Sequence, residues 1–233
     1  MIVTRKLGKV YPGEVQALTD VSLVIPQGDF VFLVGPNGAG KTTLFKLLIR
    51  ESEPSNGCVL FQGRDVNDLS PTDLARHRRM VGAVFQDARL VPSKTVFENV
   101  ALPLLADGSS ESEAFRQTQD ALLVSNLLPL RDRFPSELSG GQQQLVAIAR
   151  AFVNHPRAIL ADEPTGNLSP AATIQIVRLL TYINRCGITV IVSTHNHEVV
   201  DALGRRVLVL DRGRLVADSA NSQYPEFLRR PAA

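Results

Sequence analysis

The stretch best suited to chemistry is Gly35-Pro36-Asn37-Gly38-Ala39-Gly40-Lys41-Thr42-Thr43. Gly35 and Gly40 flank four residues and Lys41-Thr42 follows, the G-x-x-x-x-G-K-[ST] spacing of a phosphate loop. A glycine-rich turn ahead of a helix aims several backbone N–H groups at one point, with the positive end of the helix dipole behind them. Lys41 can reach terminal phosphates, and the Thr42 hydroxyl can join a Mg²⁺ shell. The pattern implies a nucleoside triphosphate site.

Further polar residues end apolar runs. Asp162 and Glu163 follow Ala158-Ile159-Leu160-Ala161, Gln86 follows Val81 to Phe85, and His195 lies just past Ile188 to Ser193. Asp162 beside a phosphate loop can hold Mg²⁺. Glu163, one residue further, can accept a proton from an attacking water. An acidic strand end or a lone histidine is commonplace, but three polar residues leaving three apolar strands at one end outline a ligand crevice. In Leu138-Ser139-Gly140-Gly141-Gln142, Ser139 and Gln142 form a capping box. That leaves the paired glycines unexplained unless something must approach the backbone closely, and a phosphate would. Tyr11, in Val10-Tyr11-Pro12-Gly13, reads as a half-buried loop aromatic that can stack on a base.

The elements that must position these groups alternate between strand and helix. Short strands are expected at Ile2-Val3-Thr4, Val21 to Ile25, Phe30 to Val34, Gly57 to Phe61 and Val81 to Phe85, with further ones at Ala158 to Ala161 and Ile188 to Ser193. Helices are expected over Lys41 to Arg50, Leu145 to Asn154 and Ala171 to Cys186. Another starts at Ser70 as N-cap, with Pro71 in first position. Arg206 to Val216 reads as a hairpin.

From Asp87 to Glu137 the alternation breaks into a helical block with Pro92, Pro103, Pro129 and Pro135 as punctuation. There Ser110 to Glu113 is a capping box, followed by Ala114, Phe115, Thr118, Ala121, Leu122 and Ser125 on one side. The block is too small for a core of its own. The expected organisation is a single domain over 1–233, with 1–86 and 138–233 as core and 87–137 as an inserted helical lobe. The tail from Asn221 to Ala233 carries no assignment.

Composition sets outer bounds. The 233 residues are 44% hydrophobic, enough for a sizeable core. Net charge is +2, from 25 basic and 23 acidic residues, which gives no electrostatic case for a nucleic-acid partner. Cys58 and Cys186 lack metal-ligand spacing and suit a reducing compartment. No apolar run approaches the roughly 20 residues of a membrane span, and Met1 to Arg5 is not laid out as a signal peptide. A cytoplasmic protein that reaches the inner face of the membrane through a partner is expected.

Taken in order, these motifs resemble the ABC-type ATPases over nearly the whole chain. The phosphate loop is Gly35 to Thr42, the glutamine loop Gln86 and the signature Leu138 to Gln142; Asp162, Glu163 and His195 match the Mg²⁺ aspartate, catalytic glutamate and switch histidine. Tyr11 matches the aromatic that stacks on adenine. The resemblance implies an α/β P-loop core with a mainly parallel sheet, an antiparallel β lobe and the inserted helical lobe. It implies ATP and Mg²⁺ as ligands, with Thr42, Gln86 and Asp162 around the metal. It also implies an ATP-dependent head-to-tail homodimer in which Ser139, Gly140, Gly141 and Gln142 complete the other subunit's site.

Within the family, Phe85 to Leu90, Lys94 to Val100, Ala161 to Leu168, and Asn184 to Val190 resemble the cell-division ATPases of the FtsE type. That implies an FtsX-like integral membrane partner at a groove near Gln86 and the 87–137 lobe. ATPases of lipoprotein-release and macrolide-export complexes share part of this pattern, and a nucleotide-gated dimerisation switch is a further alternative. A DNA-repair ABC ATPase is disfavoured by the balanced charge and the lack of a long coiled-coil insertion. Three positions depart from the usual pattern: Ser169 where aspartate is usual, Leu145 for arginine, and Asn196 for aspartate.

Overall fold

The computed structural model describes residues 1–229. The chain opens with two long strands, β1 (Ile2–Tyr11) and β2 (Val15–Ile25), followed by β3 (Phe30–Val34) and helix α1 (Lys41–Leu48). Next come β4 (Asn56–Phe61), β5 (Arg64–Asp65), α2 (Pro71–Met80) and β6 (Val81–Val84). Two helices, α3 (Val96–Ala106) and α4 (Glu111–Val124), precede α5 (Gly140–Phe152). The alternation resumes with β7 (Ala158–Asp162), α6 (Pro170–Arg185), β8 (Thr189–Ser193) and α7 (His197–Leu203). It closes on β9 (Arg206–Asp211), β10 (Arg214–Ser219) and the helical turn α8 (Glu226–Arg229).

Two sheets result. A six-stranded sheet runs β10-β9-β3-β8-β7-β6, parallel throughout except for β10, and a four-stranded antiparallel sheet runs β2-β1-β4-β5. β3 is buried along its whole length, as a strand covered on both faces must be. Its side chains alternate between two cores: Phe30, Phe32 and Val34 pack with α5 and α6, while Val31 and Leu33 pack with α1 and the antiparallel sheet. The parallel arrangement sends the C-terminal ends of β3, β6, β7 and β8 to one edge. The phosphate loop, Gln86, Asp162, Glu163 and His195 leave from that edge.

Helices α3 and α4 have no separate core. Val96, Val100, Leu104, Ala114 and Leu122 join Val146 and Ile148 of α5 in one apolar cluster.

Several elements differ from the sequence expectation. Tyr11 is the last residue of β1 rather than a loop residue, because pairing with Val15 extends the strand. Pro103 lies inside α3, where its missing N–H leaves the Asn99 carbonyl without its helical bond. Phe115 is 45% exposed and does not share the buried side of α4. Ser110 caps α4 by accepting from the Glu113 N–H at 3.3 Å, but the Glu113 carboxylate accepts from Gln117 and so does not close the box. The short helices α7 and α8 carry too few periodic residues to stand out. Of the unassigned tail, residues 230–233 lie outside the described residues.

Candidate active site

The phosphate loop joins β3 to α1. Gly40 is the N-cap of α1 at φ 103°, and a Cβ there would lie 2.6 Å from both the Ala17 carbonyl oxygen and Leu18 Cδ2. Only glycine meets both demands. Helices α2 to α7 are each capped by a side chain, from Ser70, Thr95, Ser110, Ser139, Ser169 and Asn196. α1 is not. Its first amides are therefore left for a ligand, and an anion suits them.

Lys41, at the start of α1, is 8% exposed and donates to the carbonyls of Gly35 at 2.8 Å and Pro36 at 3.2 Å. Burial lowers its pKa from the ordinary lysine value, opposed by the charges of Glu163 and Asp162. A buried ammonium folded onto its own loop is a cation that a terminal phosphate can draw outward.

Asp162 ends β7 beside that loop. Its Oδ2 accepts from Thr42 Oγ1 at 2.7 Å, and its Oδ1 accepts from the Ser193 hydroxyl. Glu163, in the left-handed region at φ 48°, turns the chain off the sheet, and its N–H donates to Ser193 Oγ and Ser193 O, each at 3.1 Å. Glu163 Oε2 lies 2.9 Å from His195 Nδ1, and the His195 N–H donates to the same oxygen at 3.4 Å. Ser193 thus fixes the Asp162 carboxylate and the backbone from which Glu163 turns. Sequence reading missed it because a serine ending a buried strand looks like any strand end. The only signal was its place two residues before His195.

Gln86 is exposed and lines a cleft of about 580 Å³ shared with Thr42, Asp162, Gly166 and Asn167. Thr42 and Asp162 are hard oxygen donors already in contact, so they fit a Mg²⁺ shell. Among the described residues, no cluster of three or more His, Cys, Asp or Glu is placed to hold a metal. The Thr42 and Asp162 pair fits a Mg²⁺ bound by one or two side chains plus substrate phosphate.

Tyr11 stands apart at the end of β1, with Lys9 Nζ 5.1 Å from its ring centroid. The Ser139 N–H donates to Gln142 Oε1 at 2.9 Å, and the Gln142 N–H donates to Ser139 Oγ at 3.3 Å. Among the described residues, no hydrogen bond or ion pair joins Ser139, Gly140, Gly141 or Gln142 to the phosphate loop. Gly141 also has a packing reason within the chain: a Cβ there would come 2.6 Å from Ala172 Cβ on α6. Gly140 faces outward, its nearest neighbour being Leu168 Cδ2 at 3.4 Å.

A match to the ABC transporter family spans residues 18–166, more than half of the chain. The chain belongs to the ABC transporter family. As an ABC ATPase it binds ATP with Mg²⁺ and hydrolyses it. It is 44% identical over 225 residues to the cell division ATP-binding protein FtsE of Mycobacterium tuberculosis, covering 96% of this chain and 98% of that one. It is 43% identical over 225 residues to the methionine import ATP-binding protein MetN 1 of Rhodopseudomonas palustris, covering 94% of this chain but 60% of that one. Among solved structures it resembles a dimeric post-hydrolysis state of the ATP-binding cassette MJ0796 bound to ADP and Pi. The TM-score is 0.87 at 36% identity, over 96% of this chain and 100% of that chain.

The ABC ATPase accommodates its three departures locally. Ser169 caps α6, accepting from the Ala172 N–H at 3.3 Å, and Asn196 caps α7, accepting from the Val199 N–H at 3.2 Å. Serine and asparagine serve as N-caps as well as aspartate does. Leu145 is 6% exposed inside the main core.

Proposed function

We propose that the ABC ATPase hydrolyses ATP between two copies of the chain and passes the resulting movement to an FtsX-like membrane protein in cell division. The observation carrying the chemistry is the Glu163 carboxylate held against His195 at the sheet edge that also bears the phosphate loop. Glu163 takes the proton of the attacking water, and His195 holds that carboxylate and contacts the γ-phosphate. Lys41, the backbone N–H groups of Gly38 and of Gly40 to Thr43 and, from the second copy, Ser139 to Gln142 stabilise charge on the phosphoryl oxygens. Thr42, Asp162 and Gln86 would hold Mg²⁺, which would supply positive charge against the phosphate oxygens. Tyr11 stacks on the base, a contact that tells adenine from guanine poorly.

The dimeric ADP- and Pi-bound relative supports the paired arrangement. For the biology, 44% identity over 225 residues to the FtsE of Mycobacterium tuberculosis supports cell division. A groove of about 390 Å³ between α2, α3 and α5, floored by Val81, Ala83, Phe85 and Pro103, suits a helix of the membrane partner. Among the described residues no helix is long and apolar enough to cross a membrane itself.

The test is a pull-down from membranes with the Glu163→Gln protein and ATP. An FtsX-like four-span protein is expected. A lipoprotein-release or macrolide-export permease would replace the cell-division reading and keep the site. ATP-dependent dimers with no membrane protein would favour a soluble switch.

A further inference from the structure

The loop bearing Gln86 is held in an unusual shape by a helix that sequence reading gave another task. Ala88 at φ 53° and Arg89 at φ 47° are consecutive non-glycine residues in the left-handed region. Such a pair persists only where its surroundings impose it. Its two carbonyls accept from one side chain: Arg150 Nη1 donates to Arg89 O and Nη2 to Ala88 O, both at 2.8 Å. Burial lowers the Arg150 pKa, and among the described residues no carboxylate pairs with it. A half-buried guanidinium spent on two main-chain carbonyls, with no carboxylate beside it, is costly unless the geometry it enforces matters. On the other side of Gln86, the carbonyl of Phe85 accepts from Gln144 Nε2 at 2.9 Å, and Gln144 is 3% exposed.

Both clasping residues belong to α5, whose N-cap is Ser139. Arg150 also lines the groove between α2, α3 and α5. One rigid helix therefore connects the signature end, the loop bearing Gln86 and the wall of the partner groove.

We infer that Arg150 and Gln144 are positioning residues, which clasp the Gln86 loop to α5 so that Gln86 is presented to the Mg²⁺ and phosphate cleft only when α5 is in place. The inference rests on the proposed role of Gln86. The paired bonds require a planar fork. Lysine offers a single ammonium and cannot reproduce them, so Arg150→Lys keeps the charge and removes the clasp.

The experiment is a double-mutant cycle of Arg150→Lys with Gln86→Ala, in which kcat and the Mg²⁺ dependence of turnover are measured. It is joined by hydrogen exchange of the nucleotide-free protein. Arg150→Lys is expected to lower kcat and to raise the Mg²⁺ concentration for half-maximal rate, each about tenfold. The amides of residues 85–90 should lose protection in the absence of nucleotide. The double variant should be no worse than Gln86→Ala alone, since a clasp acting through Gln86 has nothing left to position. Gln144→Met enters the same cycle with the same expected non-additivity, which keeps the proposal testable if Arg150→Lys does not fold.

An unimpaired Gln86→Ala protein would overturn both the clasp and the role of Gln86. An impaired Gln86→Ala beside a normal Arg150→Lys, or losses that multiply, would overturn the clasp alone.

Discussion

Glu163 Oε2 and His195 Nδ1 lie 2.9 Å apart, at the ends of the neighbouring parallel strands β7 and β8. The contact follows from topology. Parallel neighbours deliver the residues just past their C-terminal ends to one place, and Ser193 of β8 fixes the backbone from which Glu163 turns.

Ser193→Ala removes the hydroxyl that donates to Asp162 and accepts from the Glu163 N–H. A kcat lower by about tenfold is expected, with a raised Mg²⁺ requirement and an almost unchanged Kd for Mg²⁺-free ATP. Steady-state kinetics over a Mg²⁺ titration check this.

Lys41→Met deletes a buried cation whose partners are loop carbonyls. The ATP Kd should rise about 10- to 100-fold. The Tm of the nucleotide-free protein should hold or rise, because the desolvation cost of the ammonium is gone. Melting curves with and without ATP separate the two effects.

The two signature glycines should separate stability from activity. Gly141→Ala drives a methyl into Ala172 and should cost about 1–3 kcal/mol, restored in part by Ala172→Gly. Gly140→Ala meets only the end of the Leu168 side chain, so its Tm should stay near that of the parent while ATP-dependent dimerisation falls. Thermal melts and light scattering check the pair.

His77 supplies a pH dependence. Burial lowers its pKa from the ordinary value of 6.5, the bond from Nε2 to the Leu48 carbonyl opposes this, and Arg78 adds to the lowering. With a folded pKa below the unfolded one, its contribution is complete above 6.5 and is lost as pH falls through the folded value. The Tm should drop on acidification below that point. His77→Gln should flatten the drop, as a pH series of melts would show.

Much of the site was legible because its residues follow apolar runs: the phosphate loop after β3, Gln86 after β6, Glu163 after β7 and His195 after β8. The N-caps at Ser70, Ser110 and Ser139 were equally plain, since capping is a local matter. What escaped depends on contacts between distant segments. Ser193 and Arg150 act on residues about 30 and 60 positions away, and no local pattern marks such pairs. Tyr11 was misplaced because Pro12 suggested a loop where pairing with β2 prolongs the strand. The exposed face of Phe115 shows that apolar spacing alone does not settle which way a helix turns.

The most direct test of the account is single-turnover ATP hydrolysis by Glu163→Gln, measured beside nucleotide binding. The carboxamide keeps the shape and cannot take the proton of the attacking water. Turnover should fall about a hundred- to ten-thousandfold, with ATP still bound and dimers accumulating. Hydrolysis within about twofold of the parent rate would contradict the assignment of Glu163 as the general base.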